Sequence, residues 1–154
     1  VLDGIPYDDK TKNGRKIKRW RLENPNEEAI IYKAGWLRHP STQWVMKSAY
    51  NYIWLYKHMM AMNDEYKSRY NHTKDHLAVQ KLGQLLKQPP KNINVRAIGT
   101  DATPAMPDEC IVPGDSVASY RKYYIMKKVR FATWKAPSQM PDWFKEGVKN
   151  VNNI

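Results

Sequence analysis

HPSTQWVMKSAYNYIWLYKHMMAMNDEYKSRY, residues 39–70, decides the fold. Pro40 suits the first turn of a helix, and Ser41 is placed to cap its free N–H groups. From Trp44, the residues Tyr52, Leu55, Met59, Met62 and Tyr66 recur at helical spacing, and the opposite side still carries Ile53, Trp54 and Met60. A helix that is apolar on nearly all sides is expected in the middle of a small domain. The stretch therefore predicts one long central helix.

That helix carries a single polar line: Asn51, His58, Glu65 and Arg69, at spacings of seven, seven and four. These intervals put the four residues on one edge. Two readings are open. Glu65 and Arg69 form an i,i+4 pair that only supports the helix, or the line faces a cleft.

Outward from this element, Thr73 is expected to cap a second helix, KDHLAVQKLGQLLKQ, which Pro89 and Pro90 end. Residues 91–113 lack periodicity and read as an ordered, irregular loop carrying AMPDEC. A third helix is expected from Asp115-Ser116 to about Thr133, followed by a short last turn, MPDWFKEGV, that docks Trp143 and Phe144 on the core. Upstream, KIKRWRL (16–22) and AIIYKAG (29–35) flank the turn-rich ENPNEE and predict a short β-hairpin. The fold class is all-α, a compact single domain with a small β-hairpin near the N-terminus. Residues 1–38 form an irregular or hairpin basic segment and residues 39–154 a helical domain, within one folding unit.

Within the third helix, SYRKYYIMKKVRFATWK (119–135) holds five aromatics and six Lys or Arg with no acid. On a helical wheel Val117, Tyr120, Tyr124 and Phe131 fall together and Ala118, Ile125, Val129 and Ala132 adjoin them, so the aromatics are expected in the core. Arg121 and Lys128 lie between the two groups. A charge in an apolar arc must snorkel, pair with a carboxylate such as Glu65 or Asp108, or line a solvent-filled pocket.

The net charge of +11 over 154 residues points to a polyanion, with nucleic acid the first expectation. The hairpin arm GRKIKRWRL supplies Arg15, Lys16, Lys18, Arg19 and Arg21 around one Trp, as a nucleic-acid-binding stripe or as a solvated arm. One cysteine, Cys110, cannot form an internal disulfide, no apolar run approaches the ~20 residues of a bilayer span, and no signal peptide is visible. The expectation is a soluble cytoplasmic protein with no membrane partner. Catalytic spacings for zinc proteases, phosphate loops and serine hydrolases are missing, and His39, His58, His72 and His76 make no recognised metal set, so no cofactor or metal is expected.

HPSTQW (39–44), NYIWLY (51–56), DEYKSRY (64–70), MPDEC (106–110), PGDSVASYRKYYIMKK (113–128), FATWK (131–135) and PDWF (141–144) occur in this order. Together they resemble a family of small phage and bacterial proteins, and more distantly the pyrimidine-dimer DNA glycosylases of the phage endonuclease V type. The resemblance implies a small helical DNA-processing protein that kinks DNA and flips a base, in a phage-infected or bacterial cell. It places His39, Glu65 and Arg121 near a shared polar pocket as candidate catalytic residues. Arg69 and Lys128 become further nucleic-acid contacts, with Asn51, Asp108 and Glu109 as other pocket residues.

The family pattern also has a segment resembling CDKHVVKM ahead of VLDG, and Cys110 replaces the tyrosine of its usual MPDEY. Endonuclease V-type enzymes use an N-terminal amine as nucleophile. Val1 matches an internal position and does not inherit that role. The implied protein is a DNA glycosylase with lyase activity on damaged or modified duplex DNA. A non-catalytic nucleic-acid-binding subunit, completed by a separate chain supplying the missing segment, is the alternative. A virion or assembly protein with a DNA-facing basic surface is the third.

Overall fold

The structure is a computed structural model and describes residues 1–152. The chain opens with β1, Ile5–Lys10, paired antiparallel with β2, Lys16–Arg21. The turn between them closes where the Gly14 N–H donates to the Thr11 carbonyl at 2.9 Å. Gly14 sits at φ +75°, where a residue with a side chain would be strained. The hairpin expected from residues 16–22 therefore exists, but its partner is IPYDDK and not AIIYKAG. Two aspartates and a proline hide the strand character of IPYDDK. ENPNEEAI instead winds into α1, Pro25–Ile30, because the Asn24 side chain accepts the Asn26 N–H at 3.0 Å and Pro25 opens the first turn.

The expected central helix is two helices. Pro40 begins α2, Pro40–Val45, capped by the ring Nδ1 of His39, which accepts the Ser41 N–H at 3.2 Å. The chain then bends, and Ser48 starts α3, Ala49–Tyr70, its Oγ accepting the Asn51 N–H at 3.1 Å. Asn71 ends α3 in the left-handed conformation at φ +51°. The helix is also less central than its composition suggests: Met62 is 61% exposed, and Trp54, Leu55 and Ile53 are exposed as well.

The side of α3 that is covered is joined by polar groups. Tyr52 and Tyr56 donate their hydroxyls to the carbonyls of Leu86 (3.0 Å) and Gly83 (3.2 Å). Buried Asn63 donates to Asp75 at 2.8 Å and accepts the His76 N–H at 2.8 Å. These bonds hold α4, Leu77–Leu82, and the 3₁₀ turn Leu85–Lys87 against α3. The start of α4 corrects the Thr73 expectation, since the cap is His76, whose Nδ1 accepts the Ala78 N–H at 3.3 Å.

Residues 91–113 are irregular as expected, apart from a 3₁₀ turn at Asp108–Cys110. Asp115 caps α5, Ser116–Tyr123, its carboxylate accepting the Ala118 N–H at 2.8 Å. The helix expected to reach Thr133 does not stay α: Tyr124–Lys128 is π-helical and Val129–Phe131 is 3₁₀. α6, Asp142–Asn152, brings Phe144 into the core, 2% exposed.

The core is small, formed by Trp44, Val79, Leu82, Ile93, Cys110 and Phe144, with Ser48, Asn51 and Ser119 fully enclosed beside them. The N-terminal segment is tied to it by Asp3, whose carboxylate accepts the N–H groups of Lys91 (2.7 Å) and Asn92 (2.9 Å). Among the described residues no helix is long and apolar enough to cross a membrane.

Candidate functional site

Asn51 is the polar residue around which the site is built. It is fully buried near the start of α3. Its Nδ2 donates to the Trp44 carbonyl at 2.9 Å and its Oδ1 accepts the Thr100 N–H at 3.0 Å. Trp44 completes the clasp by donating its indole N–H to the Thr100 carbonyl at 3.0 Å and hydroxyl at 3.1 Å. An irregular segment is thereby fixed against two helices. Gly99 is required there, since a Cβ would run into the Tyr50 ring.

The clasp forms one wall of a half-open cavity of about 530 Å³, within the ~300–1,000 Å³ typical of small-molecule sites. Gly99, Thr100, Asp101 and Ala102 line that wall. Trp44, Tyr50 and Trp54 enter from α2 and α3, and Ser116, Val117, Tyr120, Arg121 and Tyr124 from α5 and the π turn. Trp134, Pro141 and Trp143 close it from the C-terminal side. Seven of these side chains are aromatic. Trp54 meets Trp44 edge-on, with centroids 5.6 Å apart.

The aromatics expected in the core thus largely surround open space. Val117 and Phe131 are 57% and 60% exposed, and Tyr124 and Val129 are also exposed. The physical reason is the small core: α5 is covered where buried Ser119 bonds the Val112 backbone, and the π turn where Gly147 of α6 lets the Ile125 side chain lie against the helix backbone.

Arg121 lines the cavity, with its guanidinium 5.5 Å from the Trp143 ring centroid. Lys128 places its amine 5.1 Å from the Tyr123 ring and 5.6 Å from that of Phe131. Among the described residues neither cation forms an ion pair. The expected carboxylate partners, Glu65 and Asp108, are elsewhere. The π turn explains why the two cations part company: it adds a residue per turn, so a seven-residue interval no longer returns to the same face.

Glu65 and Arg69 form a clip. Arg69 donates Nε (3.0 Å) and an Nη (2.8 Å) to Glu65 Oε1, while Ser138 Oγ donates to Oε2 at 2.6 Å. The Ser138 hydroxyl and the Arg69 guanidinium hold the Glu65 carboxyl below its ordinary pKa. A carboxylate held in its charged form is a poor general acid. Arg69 also reaches the Thr133 carbonyl at 3.4 Å. The clip therefore binds the 133–138 segment to α3.

The remaining candidates are dispersed. His39 is an exposed helix cap. Glu109 pairs with Lys127 at 3.0 Å, and its own backbone N–H, then Lys127, lowers its pKa. Asp108 is exposed in the same 3₁₀ turn. Of His39, Glu65 and Arg121, only Arg121 reaches the cavity. Asp101, which no sequence pattern singles out, is the carboxylate in its lining. Among the described residues no cluster of His, Cys, Asp or Glu gathers to hold a metal.

The basic arm is split by its register. Lys16 and Lys18 share a face with Trp20, opposite Lys10, Asp8 and Pro6, while Arg19 and Arg21 share the other with Tyr7 and Asp9. Arg19 Nε lies 3.5 Å from Asp9 Oδ2 without a hydrogen bond and is enclosed there. Arg21 stacks over Tyr7 at 5.9 Å. Lys10, Lys12, Arg15, Lys16 and Lys18 are exposed towards the hairpin tip. Lys10 and Lys16 stand directly opposite each other, a like-charge pair that an external anion would relieve.

Comparison of the chain with protein-family models, curated proteins and solved structures found no match.

Proposed function

We propose that the protein binds duplex DNA through its hairpin tip and holds one extruded base in the aromatic cavity. The observation that carries this reading is a lining that combines seven aromatic rings with one guanidinium and one carboxylate. Flat faces suit a nucleobase, whose stacking on aromatic side chains is worth about 1–3 kcal/mol. That is comparable with the few kcal/mol needed to unstack and unpair a base. Arg121 and Asp101 supply a donor and an acceptor for a base edge. Aromatic cages also take quaternary ammonium groups, but Arg121 in the wall disfavours a cationic guest.

Access to an extruded base is the arrangement a DNA glycosylase with lyase activity needs, which agrees with the resemblance of the HPSTQW to PDWF motifs. No amine belongs to the described residues lining the cavity, so a lyase nucleophile in this reading comes from outside that lining, including from a second chain. A duplex carrying 2-aminopurine tests base extrusion, since its fluorescence changes when the base leaves the duplex stack for the aromatic lining. Borohydride trapping on an abasic duplex tests the amine chemistry. Extrusion with a covalent adduct supports the enzyme, extrusion without one supports a DNA-binding accessory subunit, and binding with neither supports a virion or assembly role.

A further inference from the structure

The loop that forms the cavity wall carries a side chain that the base-binding reading does not use. Ile98 is 89% exposed and directly precedes Gly99, Thr100 and Asp101 of the lining. Single exposed apolar residues are ordinary, so exposure alone says little. The backbone around this one is unusual in being fixed on both sides. Asn94 accepts the N–H groups of Arg96 and Ala97 on its Oδ1, each at 3.0 Å, and its carbonyl accepts the Ala49 N–H at 3.0 Å. On the other side Thr100 is held by Asn51, and Gly99 rests on the Tyr50 ring. A short crest, Val95-Arg96-Ala97-Ile98, is thus held rigidly with Val95 also 75% exposed and a cation between the two.

We propose that Ile98 is a wedge that enters the base stack and fills the gap left by the base held in the cavity. Apolar wedges between base steps are a general device of proteins that distort duplexes. Two features make this side chain suitable. A β-branched residue keeps few rotamers, so it meets the stack without ordering first. Its anchoring through Asn51 and Tyr50 also fixes its position relative to the cavity wall, so insertion and capture of the base are coupled. Arg96 beside it is placed to meet the adjoining backbone phosphate. The rival is Trp36, 86% exposed at φ +52°. It belongs to a segment that contributes nothing to the cavity lining.

The inference rests on the base-binding reading, and the test separates the two. The full chain is titrated with a 2-aminopurine duplex and with a single strand of the same sequence, which has no stack to open. Ile98→Ala should lower the extrusion equilibrium in the duplex about tenfold and leave single-strand binding unchanged. Ile98→Phe should retain extrusion, and it keeps the test valid should the alanine variant fold poorly. An Ile98→Ala protein that extrudes as the parent does overturns the wedge and leaves the base-binding reading standing. So does equal loss on duplex and single strand, which would make Ile98 part of the wall. Loss with Trp36→Ala but not Ile98→Ala transfers the role to Trp36. No response of the parent protein to either substrate overturns base binding itself, and the wedge with it.

Discussion

Asn51 and Thr100, forty-nine positions apart, are joined by two hydrogen bonds in opposite directions. The Thr100 N–H donates to Asn51 Oδ1 at 3.0 Å, and Asn51 Nδ2 donates to Thr100 Oγ1 at 3.3 Å. Because Nδ2 also serves the Trp44 carbonyl, one enclosed amide satisfies groups on a helix and on a loop. Asn51→Ala orphans the Thr100 N–H, at about 1–3 kcal/mol, and takes one of two hydrogen bonds from the Trp44 carbonyl, which keeps the Lys47 N–H at 3.2 Å. Urea melts should show a loss of about 2 kcal/mol, and the cavity wall should loosen. A loss below about 1 kcal/mol would mean that water replaces the amide.

Arg121→Met should leave stability within about 0.5 kcal/mol, because no carboxylate is orphaned and the methionine stem keeps the packing on Trp143. Affinity for a single-stranded oligonucleotide should fall. Lys128→Met should change neither, since the Lys128 amine lies between Tyr123 and Phe131 and outside the lining. Equal effects of the two substitutions on binding would detach Arg121 from the cavity.

Lys16→Ser with Lys18→Ser should weaken duplex binding and lower the slope of log affinity against log salt by about 0.9 for each phosphate no longer neutralised. The thermal midpoint should barely move, as both side chains are exposed. Arg19→Ser should behave differently: its head is partly enclosed beside Asp9, so its removal should register in stability more than in the salt slope.

The Glu65 clip sets an acid limit. Ser138 and Arg69 favour the charged carboxylate, so the folded pKa lies below the ordinary 4.5. The unfolded chain therefore binds this proton first as pH falls. The contribution of the clip is complete above that ordinary value and is lost as pH drops through the lowered native value. Glu65→Gln should flatten that limb of the stability profile, and only in part, because the Asp75 and Glu109 carboxyls are also lowered. An unchanged acid limb in the variant would show that the clip does not hold in solution.

How much of this is legible in sequence depends on how local the cause is. Pro40, Asp115 and the strand character of KIKRWR act within a few residues, and the elements they mark are present. Ser48 acts just as locally but is hidden inside a continuous apolar pattern, which makes two helices read as one. His39 and His76 cap through a ring nitrogen, unlike the short polar side chains that usually do so. Asn51 stands out as a polar residue on an apolar helix, yet Thr100 and Asp101, its distant partner and that partner's neighbour, carry no periodic signal. Arg121 is visible in sequence as a charge needing explanation. The aromatics beside it mislead, because helical spacing shows which residues share a face and not whether anything covers it.

The Asn51 clasp has one more consequence. Thr100 lies in a segment without regular structure, where amide protons ordinarily exchange with solvent in local openings far cheaper than global unfolding. Its N–H can be released only by disengaging an enclosed side chain that also holds the Trp44 carbonyl of α2. Deuterium uptake at Thr100 should accordingly be as slow as at the helix interior around it, while Val95 and Ile98, a few residues away, label at once.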